Sequence, residues 1–145
     1  MAQRASVSIT VNAPLNTVYN VVAAIENYVS WNGDLKHVSV RERDADGRPL
    51  EVEFRAAAFG RSTTYTLRYD YAQAPNVLSW HQVEGDLTES MAGKYRFEEI
   101  DGQTNVTYEL EVELRVPIPA FIKARAAHRI QTQALDELKA QAESI

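Results

Sequence analysis

The sequence predicts an α+β domain, a seven-stranded antiparallel sheet closed by one long C-terminal helix. Three observations carry this reading. Apolar residues alternate with polar ones in segment after segment between residues 35 and 116, turn signals rich in Gly, Asp and Pro separate those segments, and only residues 120–143 are long enough for a major helix. No repeat or linker interrupts the pattern, so residues 1–145 read as a single domain.

The first strand covers residues 6–11, where Val7, Ile9 and Val11 alternate with Ser6, Ser8 and Thr10. Pro14 suits a first helical position, because its missing N–H would find no intrahelical partner there. Leu15, Val18, Tyr19, Val22 and Ile25 then follow helical spacing, which predicts a short helix to about residue 25. Asn27 is placed as the cap of a second small helix through Trp31, broken by Asn32-Gly33. Two short helices thus separate strands one and two.

The second strand spans residues 35–43. A turn at residues 44–49 leads to a third, with Leu50, Val52, Phe54, Ala56 and Ala58 on one face and Gly60 at its end. In the fourth, residues 63–71, Tyr65, Leu67, Tyr69 and Tyr71 share a face opposite Thr64, Thr66, Arg68 and Asp70. The fifth covers residues 77–83, and its face is ambiguous because both alternations carry apolar residues; Trp80 is placed inward and His81 outward. In the sixth, Leu87, Glu89, Met91, Gly93, Tyr95 and Phe97 align on one face. Asp101-Gly102 is a two-residue hairpin signal, since glycine takes positive φ at no steric cost. The seventh turns Val106, Tyr108, Leu110, Val112 and Leu114 one way and Thr107, Glu109, Glu111 and Glu113 the other. On the final helix Phe121, Ala124, Ala127, Leu135, Leu138 and Ala142 form a stripe bordered by His128, Gln131 and Ala134. Such small residues fill little volume, so a curved sheet laid over them would leave a space behind.

Composition narrows the chemistry. With no Cys, thiolate catalysis and Cys-containing metal sites are excluded. His37, His81 and His128 fall in no metal-ligand spacing, and neither a Gly-x-Ser-x-Gly elbow nor a phosphate-cradling glycine loop occurs, so no metal and no cofactor is expected. A net charge of −5 argues against nucleic acid as a partner. No apolar run approaches the roughly 20 residues of a membrane span, and the N-terminus alternates where a secretory signal would be continuously apolar. A cytoplasmic protein without stable membrane insertion is expected.

The aromatics concentrate on the apolar strand faces. Two readings stand for Phe54, Tyr65, Tyr69, Trp80, Tyr95 and Tyr108, with Met91: a plain filled core, or the lining of a partly hydrated cavity, where phenol hydroxyls costly to bury without partners are easier to satisfy. Trp31 and Phe121 are assigned to the same site. Two readings stand for Glu89: a ligand anchor or general acid/base, or a carboxylate at the strand end facing solvent at the cavity mouth. His128 is likewise either a proton-transfer group or a bordering histidine bonded to a neighbour. Lys123, Arg125 and Arg129, with Arg115 upstream, form either a solvated helix face or a docking point for an anionic head group or membrane surface.

Local patterns in fixed order carry a resemblance over nearly the whole chain. These are Val7-x-Ile9-x-Val11-x-Ala13-Pro14, Glu26-Asn-Tyr28-x-x-Trp31, Leu78-Ser-Trp80 followed by Glu84-Gly85, Gly93-Lys-Tyr95, and Pro117-x-Pro119. The sequence resembles the START-like (SRPBCC) superfamily and, within it, small bacterial proteins of the polyketide cyclase/dehydrase type. That resemblance implies a helix-grip fold in which the sheet wraps the C-terminal helix around an apolar pocket. It also implies a hydrophobic ligand (lipid, sterol-like or polyketide), bound or transported, with transient contact to a membrane or carrier protein left open. The alternative is a polyketide cyclase, aromatase or dehydratase using acid/base catalysis in the same pocket. Aromatase/cyclases of this type commonly place an Arg beside Tyr or Trp in the pocket; here Arg55 and Arg68 fall on the opposite strand faces, which favours binding over catalysis.

Overall fold

In a computed structural model, which describes residues 3–58 and 61–145, the chain forms one seven-stranded sheet with every neighbouring pair antiparallel. The strands are β1 (Gln3–Val11), β2 (Leu35–Arg43), β3 (Pro49–Ala58), β4 (Arg61–Asp70), β5 (Val77–Gly85), β6 (Thr88–Ile100) and β7 (Gln103–Leu114). Their order across the sheet is β1-β7-β6-β5-β4-β3-β2. Strands two to seven are therefore a meander of hairpins, and the first strand closes the row beside the last. Helix α1 (Leu15–Ala23) and a 3-10 helix (Ile25–Ser30) lie between β1 and β2, and α2 (Ala120–Glu143) ends the chain.

The elements follow the sequence pattern with local differences. α1 stops at Ala23, and Ala24, rather than Asn27, precedes the 3-10 helix. The Asp101-Gly102 hairpin has φ of 53° and 79° at its two residues, the left-handed pair that matches the twist of the flanking strands. Trp80 points into the core and His81 outward, which resolves the ambiguous face of β5. Gly60 lies outside the described residues.

Val11, Val18, Val22, Ile25, Leu78, Val106, Leu135 and Leu138 are completely or almost completely buried and fill one end of the sheet–helix interface with α1. Tyr28 and Tyr71 belong to this packed framework, their hydroxyls donating to the Val22 and Pro49 carbonyls. On α2 the buried residues are Ala127, Gln131, Ala134, Leu135, Leu138 and Ala142. Gln131 is wholly buried and its Nε2 donates to the Ala5 and Tyr108 carbonyls at 3.0 and 2.9 Å, tying the helix to β1 and β7. The expected stripe does not run the length of the helix: Ala124 is exposed and Phe121 is 67% exposed. The periodicity continues, but on the first turns its face is left uncovered at Phe121 and Ala124. Among the described residues no helix is long and apolar enough to cross a membrane.

Candidate functional site

Behind the thin stripe of α2 lies a cavity of about 100 Å³, room for several waters. Its wall comes from both layers. β3 to β7 supply Phe54, Tyr65, Tyr69, Trp80, Met91, Tyr95 and Tyr108, α2 supplies Ile130 and Ala134, and the segment before β2 supplies Tyr28, Asn32 and Asp34.

Register explains why the aromatics converge. Phe54 pairs with Tyr65, Tyr69 with Trp80, and Tyr95 with Tyr108, so alternation on each strand brings the rings into one row across the sheet. Tyr95 and Tyr108 meet at a tilt with 4.6 Å between centroids, and Trp80 lies 5.4 Å from Tyr95 and 5.8 Å from Tyr108. Trp80 can lie flat because its partner across the ladder is Gly93, where a Cβ would stand 2.6 Å from Cζ2 of the indole.

The hydroxyls divide into two groups. Those of Tyr28 and Tyr71 are bonded to backbone carbonyls, whereas Tyr65, Tyr69, Tyr95 and Tyr108 make no hydrogen bond within the described protein and border the cavity. Burial pushes the phenol pKa of Tyr65, Tyr69, Tyr95 and Tyr108 up, and neighbouring tyrosines add to it at Tyr69; at Tyr65 the charge of Asp34 contributes. All four stay neutral donors at neutral pH.

Two threonines escaped the sequence reading. Thr63 sits on the inward face of β4 with Tyr65, and its hydroxyl donates to Asp86 at 2.6 Å. Asp86 also accepts the Thr64 and Leu87 backbone N–H groups, bonds that hold its carboxyl below the usual carboxylate range. Thr88 is buried at the first position of β6 and bonds the Gln82 side chain.

Four of the expected site residues lie away from the cavity wall. Glu89 is exposed: β6 pairs Thr88 with Leu114 and Ser90 with Glu113, so Glu89 is the extra residue of a β-bulge, and the alternation that put it beside Met91 breaks there. His128 is exposed on α2, with Nε2 3.5 Å from the Thr132 hydroxyl. Phe121 belongs to the uncovered first turns of the helix. Trp31 is partly buried and packs edge-on against Tyr28 at 5.3 Å, one ring removed from the cavity. The acid/base set of Glu89, His128 and a tyrosine is therefore not assembled. Arg55 is exposed beside Ser62, and Arg68 pairs with Glu42 and Glu51, so neither enters the cavity. Among the described residues no group of three His, Cys, Asp or Glu could hold a metal ion.

At the mouth, the turn before β2 is latched to α2. Glu137 accepts the Gly33 N–H at 2.8 Å, and Asp34 Oδ1 lies 3.7 Å from Arg129. Sequence reasoning missed Asp34 because an Asp after Asn-Gly reads as an ordinary turn residue.

Comparison with known proteins agrees with this architecture. A structure of a START superfamily protein from Mycobacterium smegmatis superposes with a TM-score of 0.92 at 22% identity, covering 97% of each chain. The Zhui aromatase/cyclase from Streptomyces sp. R1128 gives 0.87 at 19% identity, over 99% of this chain and 94% of that one. A protein of Thermus thermophilus gives 0.82 at 16% identity over 98% of both. At these identities the likeness shows the fold, the helix-grip arrangement of the START proteins. No curated protein matches the sequence. The family model described as polyketide cyclase/dehydrase and lipid transport matches residues 2–143, and the chain belongs to that family.

Proposed function

We propose that the protein binds or transports a hydrophobic small molecule, a lipid, sterol-like compound or polyketide, in the cavity between sheet and α2. The observation that carries this reading is the set of four tyrosine hydroxyls bordering the cavity without a protein partner. In a dry core an unpaired buried hydroxyl would cost about 1–3 kcal/mol and phenylalanine would serve better; these hydroxyls avoid that cost because they border a space and are not closed off. A ligand or water supplies the missing partners, and the aromatic faces supply apolar contact. Ligand exchange with a membrane or carrier protein would use the first turns of α2, where exposed Phe121 and Ile122 stand beside Lys123 and Arg125.

Binding is favoured over cyclisation because the groups that an acid/base mechanism would use, Glu89 and His128, are exposed, and among the described residues no arginine lines the cavity. Native mass spectrometry of the purified protein, followed by solvent extraction, tests the proposal together with uptake of the neutral dye N-phenyl-1-naphthylamine. A co-purifying apolar molecule or saturable dye uptake is expected. Absence of both would overturn it.

A further inference from the structure

The cavity wall carries one formal charge among the described residues, and it is negative. Asp34 lines the mouth with its side chain 17% exposed, and no Lys, Arg or His lines the cavity with it. Its backbone is fixed on both sides: the Asp34 N–H donates to Asn32 Oδ1 at 3.1 Å, and its carbonyl accepts the Ala57 N–H at 2.8 Å. The backbone is thus held in place, and the one cation within ion-pair distance of the carboxylate among the described residues is loosely placed. Arg129 approaches a single oxygen at 3.7 Å, is 62% exposed, and spends another nitrogen on Gln133 Oε1 at 2.7 Å. A guanidinium so placed lies in water outside the wall and neutralises little of the field inside. That field reaches the interior, since it contributes to raising the Tyr65 pKa. Beyond Asp34, Tyr69, Tyr95 and Tyr108, side chains buried over most of their surface, line the same space, and their hydroxyls have no protein partner among the described residues. They can donate to a neutral carbonyl or to a carboxylate, so they do not distinguish charge.

We propose that Asp34 makes the cavity selective by charge. The site takes apolar ligands that are neutral or carry an amine or other N–H or O–H donor at the end near the mouth, and it rejects anions such as fatty acids and aromatic carboxylates. An anionic head would lose its hydration beside a fixed carboxylate with no cation in the wall to replace it, whereas a donor gains a charge-assisted hydrogen bond. This inference rests on the binding reading above and adds the ligand class to it.

Three probes of one shape test it: naphthalene-2-carboxamide, 2-naphthylmethylamine and 2-naphthoate, titrated at pH 7 by calorimetry and Trp fluorescence. The amide and the amine are expected to bind at least tenfold more tightly than the carboxylate. In Asp34→Asn, close in shape to the parent, the gap between amide and carboxylate should shrink to threefold or less. In Arg129→Gln, which keeps the carboxylate, it should persist. Equal affinity for amide and carboxylate, or an undiminished gap in Asp34→Asn, would overturn the charge selection and leave the binding function standing. Failure of all three probes to bind would overturn both.

Discussion

The two halves of α2 carry the same weakly apolar periodicity and meet different surroundings. From Gln131 onward, Ala134, Leu135, Leu138 and Ala142 are buried against the sheet and α1, whereas before it only Ala127 is buried and Phe121, Ile122, Ala124 and His128 are exposed. Across from the transition, on the sheet, stand the aromatic residues of the cavity, with small Ala134 opposite them. A helix of 24 residues is about 36 Å long, and its buried residues are concentrated from Ala127 onward. One end is therefore packed against the fold, the other is exposed, and the cavity lies between them beside Ile130 and Ala134. Amphipathic pattern reports which face of a helix could be buried; the partner surface decides how much of that face is.

The cavity side is expected to respond most to pH. Tyr28, Tyr65, Tyr69, Tyr95 and Tyr108 all have phenol pKa values above the ordinary value near 10, chiefly from burial. Each folded value lies above its unfolded one, so the native state keeps protons that the unfolded chain releases. The stabilisation is fully present below pH 10 and is lost as pH rises through the folded values. Each tyrosine removes about 1.4 kcal/mol per pH unit in that window, and five together exceed the stability of an ordinary domain within a few units. Phenolate absorbance and circular dichroism should therefore change in one cooperative step above pH 10. Ionisation of these tyrosines at ordinary pH values with the fold intact would show the cavity to be openly hydrated.

The packed end is tested next by Leu138→Ala. Leu138 is fully buried, and its truncation is expected to cost about 2–5 kcal/mol in denaturant unfolding. Phe121→Ala, the larger deletion at the other end of the helix, should stay within about 0.5 kcal/mol because that ring is mostly in solvent. Equal losses would erase the difference between the two halves.

Between these extremes sits Gly93→Ala. The added methyl would meet the Trp80 indole at 2.6 Å and the Glu109 carbonyl at 3.0 Å, an overpacking expected to cost about 1–3 kcal/mol. Because Trp80 borders empty space, the indole can tilt into the cavity. Reduced dye uptake and a shifted Trp emission should accompany a loss near the lower bound.

The same contrast shows what the sequence made legible. Strand alternation placed the tyrosines of β4, β6 and β7 on inward faces, and the order of elements, the Asp101-Gly102 hairpin and the length of α2 all follow from local chemistry. Glu89 reads as inward because Leu87, Glu89 and Met91 alternate without a break; the bulge that turns it outward is set by pairing with Glu113 and Leu114, 24 and more residues away. Phe121 and His128 share the periodicity of the stripe, yet both are exposed, because helix period does not report which part of a face is covered. Asp34 acquires its place only when α2 and β2 come together at the mouth.

The smallest effects on stability divide the tyrosines themselves. Tyr28→Phe removes the hydroxyl bonded to the Val22 carbonyl and is expected to cost about 1 kcal/mol. Tyr95→Phe removes a hydroxyl with no partner in the described protein, so stability should change by less than about 0.5 kcal/mol, in either direction. Ligand affinity should behave the opposite way: unchanged in Tyr28→Phe and weakened about fivefold in Tyr95→Phe, the equivalent of one neutral hydrogen bond. Thermal unfolding paired with calorimetric titration of naphthalene-2-carboxamide separates the two. A Tyr95→Phe protein that is destabilised as much as Tyr28→Phe and binds as well as the parent would mean that this hydroxyl serves the fold, and the division between bonded and cavity-facing tyrosines would fail at its centre.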